Sequence, residues 1–401
     1  MRGYSFRIAS FTLLLVFILP VLKLSAQNAL GQDLKTITTA VPFLMIAPDA
    51  RAGAMGDAGV SSTPDANSIH WNPAKLAFID KEMGFSVSYS PWLRKLVPDI
   101  SLAYVTGYKR LDDKQTIGMS LLYFSLGDIT FTSDIGDPIG THRPNEFAID
   151  GSYARKFTKN ISGAVSGRYI HSNLTDGQDV GASSTKPGNS VAADVAIYSH
   201  QPVTFNNMEG IFAWGLNISN IGAKISYSND NTRKDFIPTN LRFGPSLTLD
   251  LDDYNRMTFM IDFNKLLVPT PPIYKFDSVT NTLTILKGKD PDVSVPLGMI
   301  QSFYDAPGGF SEEIREFSIA TGVEYWYDKQ FALRGGFFYE DKTKGNRKFF
   351  SLGAGLKYNV FGLDFSYLVP LEQQNPLENT LRFSLLFDFD AFGNQDETNK
   401  K

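Results

Sequence analysis

At 401 residues, with no cysteine and a formal net charge of −4, the chain can build a large fold but has no disulfide framework and no thiolate metal site. Its 38 basic and 42 acidic residues form no basic stripe, which argues against a nucleic-acid partner. The aromatic content, 31 Phe and 17 Tyr, is of the kind that lipid-facing girdles use.

Residues 1–26 read as a secretory signal. Arg2 and Arg7 give the positive start, Phe11 to Leu19 the apolar stretch, and Leu24-Ser25-Ala26 a cleavage site before Gln27. Cleavage removes Arg2, Arg7 and Lys23 and takes the charge from −4 to −7. No later stretch reaches the ~18 uninterrupted apolar residues of a spanning helix. A membrane fold would therefore have to be a closed barrel, because in hydrocarbon every backbone polar group needs a partner inside the protein.

Residues 27–82 are neither strand-like nor long enough for a domain, and they are dense in small residues that permit close backbone approach. Then comes a rhythm: fourteen segments of alternating apolar and polar character between Met83 and Phe389. In the first, Met83, Phe85, Val87 and Tyr89 alternate with Gly84, Ser86, Ser88 and Ser90. In the middle, Ile149 and Tyr153 oppose Asp150, Val165 and Tyr169 oppose Arg168, and Phe259 and Ile261 oppose Asp262. In the last, Leu381, Phe383 and Leu385 oppose Arg382, Ser384 and Asp388. Charges keep to one parity in segment after segment, which predicts a wet lumen inside and lipid outside. Pro245 removes a ladder donor in mid-strand and predicts a bulge.

The gaps run long and short in turn. Short ones fall at 110–114, 158–160, 252–255, 328–329 and 359–360; long ones include 127–145, 173–188, 221–239, 340–348 and 370–378. Only the gap 199–210 is too long for its place among the short ones. An even strand count then predicts both termini in the periplasm, with the long loops outside the cell. The longest loop, 265–314, mixes six prolines with apolar residues, which predicts folding over the barrel or onto a partner rather than disorder. Tyr274, Phe276, Phe303 and Tyr304 are its candidate partner-binding anchors. Residues 390–401 form a charged tail.

Two strings in the segment before the barrel carry a resemblance. They are Pro48-Asp49-Ala50-Arg51 with Met55-Gly56-Asp57-Ala58-Gly59, and His70-Trp71-Asn72-Pro73-Ala74-Lys75. They resemble the N-terminal hatch of the FadL-like barrel superfamily, and in their detail its PorV (LptO) branch, the outer-membrane shuttle of the type IX secretion system in Bacteroidota. The resemblance implies an all-β, fourteen-stranded antiparallel transmembrane barrel (83–389) with a hatch or plug (27–82), in which Asp49, Arg51, Gly56, Asp57, Trp71, Asn72 and Pro73 form the hatch motif. It implies a protein that binds the C-terminal signal domain of secreted cargo. Cargo would be taken from the translocon barrel and delivered to the cell-surface sortase complex, in a setting of outer-membrane lipid and lipopolysaccharide.

Catalytic, metal and cofactor sites find little support. His70, His142, His171 and His200 are scattered without ligand spacing, and Asp134, Asp137, His142 and Arg143 share one solvated loop. Asp250, Asp252 and Asp253 read as a tight turn. A transporter of hydrophobic small molecules is the alternative, on the apolar luminal positions Phe124, Ile170, Met260, Trp326 and Leu386; luminal Asp150, Lys156, Arg168, Arg334 and Asp364 weigh against it. A soluble adhesin or propeller is disfavoured, since no 20–50-residue period repeats.

Overall fold

The computed structural model describes residues 35–93, 99–132, 135–175, 184–229, 234–277, 281–372 and 377–389. The signal sequence and the tail lie outside them. Eighteen strands follow in chain order: β1 (Met83–Pro91), β2 (Ser101–Arg110), β3 (Gln115–Ser125), β4 (Ile129–Thr132), β5 (Pro138–His142), β6 (Asn145–Lys156), β7 (Ile161–Asn173), β8 (Gly188–Phe205) and β9 (Met208–Gly222), then β10 (Asn240–Asp250), β11 (Asn255–Leu266), β12 (Ile273–Asp277), β13 (Thr282–Lys287), β14 (Ser318–Tyr327), β15 (Phe331–Tyr339), β16 (Lys348–Tyr358), β17 (Phe361–Pro370) and β18 (Leu381–Phe389).

Fourteen of these close into one antiparallel barrel, each paired with its neighbour along the chain, and β1 seals against β18 from Met83↔Phe389 to Tyr89↔Phe383. The other four form two hairpins, β4–β5 and β12–β13, within long loops. Closure leaves no unpaired edge, the condition for burying strands in lipid.

The parity prediction holds. Phe85, Val87, Ile149, Val165, Phe259, Leu352, Phe383 and Leu385 are exposed on the outside, while their strand neighbours Ser86, Ser88, Asp150, Ser166, Ser351, Arg382 and Ser384 are buried inside. A water-soluble sheet would pay heavily for that exterior, which only lipid can cover. No helix among the described residues is long and apolar enough to span a membrane.

Short turns gather at one end of the barrel and long loops at the other. Several short turns are closed by side chains: Asp112 accepts from Lys114 N and Gln115 N, Thr158 Oγ1 from Asn160 N and Ile161 N, and Asp252 from Tyr254 N and Asn255 N. The anomalous gap at 199–210 is no loop. β8 and β9 extend through it to Phe205↔Met208, joined by Asn206 and Asn207 with φ of 49° and 63°. Two consecutive left-handed residues make a tight hairpin turn that asparagine tolerates. The polar run from Ser199 to Gln201 hid the continuing strand.

The bulge expected at Pro245 is absent. The ladder to β11 lapses over Gly244 and Pro245 but resumes at Ser246↔Met260 in the same register. An imino nitrogen costs one donor, and a gap in the ladder meets that cost without an inserted residue. The register shift in the barrel lies instead between Ala193 and Val195, where β8 meets β9.

The segment before β1 threads the lumen from end to end. At the long-loop end Lys35 N donates to Thr343 O and Ala40 N to Phe236 O. A 3-10 turn (Pro42–Met45) follows, with Phe43 stacked on Phe124. Then come α1 (Ala50–Ala54), α2 (Ser68–Trp71) and a 3-10 helix (Pro73–Phe78). At the short-turn end Lys156 lies over the Phe78 ring, and Arg110 donates to Asp80 O. The described chain thus starts at the long-loop end and ends, at Phe389, at the short-turn end. An even strand count does not put these two points on one side when the segment ahead of β1 crosses the interior. The termini themselves lie outside the described residues.

Candidate functional site: the luminal plug and the long-loop mouth

All seven hatch-motif residues lie inside the barrel, and most are tied to its wall or to one another. Asp49 caps α1 by accepting from Ala52 N at 2.9 Å, and its other oxygen accepts from Trp71 Nε1 at 2.6 Å. One carboxylate therefore joins the two quoted strings. Asn72 caps the following 3-10 helix through Ala74 N, and its Nδ2 donates to Val60 O within the plug and to Ile197 O on the wall. Pro73 occupies the first helical position, where a missing N–H leaves nothing unsatisfied.

Arg51 heads a buried ionic chain. It donates to both oxygens of Glu324 (2.9 and 2.7 Å) and to Asp65 (2.8 Å); Glu324 in turn accepts from Arg334 (2.7 Å), which reaches Asp364 (2.6 Å). Three carboxylates thus alternate with two guanidiniums across α1, β14, β15 and β17, so every charge has an opposite neighbour. For side chains this buried, that alternation is what makes the charge tolerable. A second set joins Arg168 to Asp150, Asp194 and Asn220 beside the β8 bulge. Wall groups also satisfy plug backbone: Asp262 accepts from Gly59 N and Val60 N, Ser384 from Ala50 N, and Ser351 from Gly56 N.

Gly56 sits at φ +68° and presses on the wall at Gly336, where an added Cβ would stand 2.0 Å from Gly56 N. Asp57 follows, also left-handed at φ 64°, with its carboxylate 3.6 Å from Arg382.

The candidate anchors of the long loop fall in two places. Tyr274 and Phe276 pair with Ile285 and Leu283 across β12–β13, and all four side chains are exposed. Phe303 and Tyr304 follow α3 (Val295–Gln301); Lys265 lies 5.7 Å from the Phe303 ring and Lys289 3.8 Å from that of Tyr304. Both remain about half exposed.

Under them the loop is clamped by charge. From α4 (Phe310–Arg315) Glu312 binds Lys35 and Lys344, Glu313 binds Lys265, and the following Glu316 binds Lys265 and Lys344. The clamp holds the loop to β11, to the β15–β16 loop and to the start of the plug. Burial pushes the Glu312 carboxyl up, but the Lys344 hydrogen bond and charge outweigh it and leave it below its ordinary value. A depressed acid lends stability above its unfolded pKa and loses it as pH falls through the folded value. Acidification below the ordinary 4.5 should therefore loosen α4, read as faster proteolysis of 288–317 at pH 3 than at pH 7 while the barrel stays folded. Asp305, raised by burial, works in the opposite sense and makes the loss partial.

Among the described residues no group of three or more His, Asp or Glu is arranged to hold a metal ion. His70 edges onto Trp71 and Tyr104, and His200 packs on Phe78. Asp134 lies outside the described residues, and Arg143 is paired with Asp128. The wall partners Glu324 and Asp262 carry no motif, and their only sequence signal is charge on the luminal parity; Asp65 lies in the plug ahead of β1, where no strand parity applies.

The family model described as type IX secretion system protein PorV matches residues 29–273, which takes in the whole described plug and β1 to β11. The chain belongs to the PorV family. No curated protein matches this PorV-family chain. Solved structures similar to it include the Ralstonia pickettii toluene transporter TbuX (12% identity, TM-score 0.45, covering 89% of this chain and 99% of that one). The CymD monoaromatic hydrocarbon channel is 13% identical at TM-score 0.47, covering 86% and 98%. A Pseudomonas aeruginosa FadL homologue is 13% identical at TM-score 0.42, covering 86% and 99%.

Proposed function

We propose that this PorV-family barrel sits in the bacterial outer membrane, binds the C-terminal signal domain of secreted cargo, takes the cargo from the type IX translocon and delivers it to the surface sortase complex. Membership of the PorV family carries the reading. In this proposal residues 1–26 are cleaved, the short turns and the tail 390–401 face the periplasm, and loop 265–314 faces outward, near lipopolysaccharide. The form of the molecule suits a binding role without catalysis. A hydrogen-bonded plug runs through its lumen, and its longest loop displays Tyr274, Phe276, Phe303 and Tyr304 on a charge-clamped base. The ion pairs Arg51–Glu324 and Asp57–Arg382, which bind the plug to the wall, weigh against the transporter alternative.

The test replaces the four aromatics with alanine together and measures co-purification of translocon and cargo from outer membranes. Aromatic anchors each contribute about 2 kcal/mol or more at interfaces, so recovery of at least one partner should fall at least tenfold while the barrel still folds. Undiminished recovery of both would remove the loop from the proposal.

A further inference from the structure

A cavity of about 410 Å³ opens at the long-loop mouth and reaches down to the plug, with Asp57, Trp71, Arg242, Asn264, Leu266 and Phe338 among its walls. Its floor carries an electrostatic anomaly. Arg51, Arg168 and Arg334 each have two carboxylate partners. Arg242 is only 8% exposed, yet among the described residues no carboxylate lies within ion-pair reach of it. Its Nε donates to Asn264 at 2.7 Å and its guanidinium lies 4.5 Å from the Trp71 ring, which fixes the plane of the fork. Among the described residues the outer ends of the fork have no protein acceptor.

The other charges at the cavity are already committed. Lys344 pairs with Glu312 and Glu316, and Arg347 with Glu340. Of the nearby acids, Asp262 holds the Gly59 and Val60 amides, and Asp194 holds Arg168. Asp57 shares the floor, at 3.6 Å from Arg382, whose Nε and Nη1 are buried with no acceptor among the described residues. An unpaired buried guanidinium is costly, and an oxyanion on its open fork removes the cost through charge-assisted hydrogen bonds.

We propose that this cavity is a binding site for a compact oxyanion, a carboxylate or phosphate head on a ligand entering from the long-loop side, with Arg242 as its receptor and Asp57 as the group that moderates its affinity. The proposal does not rest on the secretion role. Trp71 and Asn264 would be positioning residues, holding the fork flat and facing the mouth.

The experiment titrates the detergent-purified full chain with sodium acetate and with sodium phosphate at constant ionic strength, by calorimetry and by the shift in unfolding temperature. Saturable binding of either is expected, and the tighter one names the head chemistry. Arg242→Gln should weaken it by about tenfold or more, the effect of losing a charge-assisted pair. Asp57→Asn should tighten it several-fold, since asparagine keeps the left-handed backbone while removing the competing charge. Compact migration of unheated protein on gels verifies that each variant is folded. No saturable binding to the wild-type chain, or equal affinity in Arg242→Gln, would overturn the proposal; so would weaker binding in Asp57→Asn.

Discussion

Glu324→Ala should cost the folded barrel about 3–5 kcal/mol, the usual penalty for removing one member of a buried ionic set. Glu324 is the central anion of its chain: it receives both Arg51 from the plug and Arg334 from the wall. Its loss leaves two adjacent guanidiniums with one carboxylate each, Asp65 and Asp364, and no anion between them. The readout is the temperature at which the compact, unheated gel band gives way to the extended one. Glu324→Gln keeps an acceptor but not the charge and should fall between the two. An unchanged transition in the alanine variant would show that water, not Glu324, neutralises these arginines.

Gly336→Val should dislodge the middle of the plug. Its Cβ would stand 2.0 Å from Gly56 N and 2.1 Å from the Met55 carbonyl carbon, so backbone rather than a pliable side chain has to move. Overpacking of this kind costs on the order of 3 kcal/mol. Here the strain falls on the plug, because β15 is held on both sides by nine-residue ladders. Limited proteolysis in detergent should cut residues 50–60 in the variant and spare them in the wild type. Equal resistance would mean that the wall yields instead.

The barrel was legible because its rules are local. Side chains alternate with period two whatever the chain does elsewhere, so Phe383 beside Arg382 already declares an outside and an inside. Loop lengths follow from where strands stop, and they misled only at 199–210, where polar residues continue a strand beyond the lipid-facing band. The hatch strings were readable as strings, but the partners of Arg51 were not. Glu324 lies 273 positions away, and nothing in the sequence says which luminal carboxylate a closed cylinder will bring opposite which guanidinium. The same holds for Arg242, whose want of a partner emerges only when every neighbouring acid has been assigned. The direction of the plug was hidden too, since counting strands says nothing about a segment that crosses the interior ahead of the first one.

That crossing constrains how the molecule can be made. Residues 41–79 emerge from the ribosome before any strand, and they run straight into the first stave of the cylinder. Because β18, the last stave, completes the ring by zipping to β1, a cylinder assembled empty would have to be filled afterwards by feeding a free amino end through a crowded bore. The simpler order is that the sheet curls around an early-made centre, so that the plug acts as the mandrel on which the wall is wound.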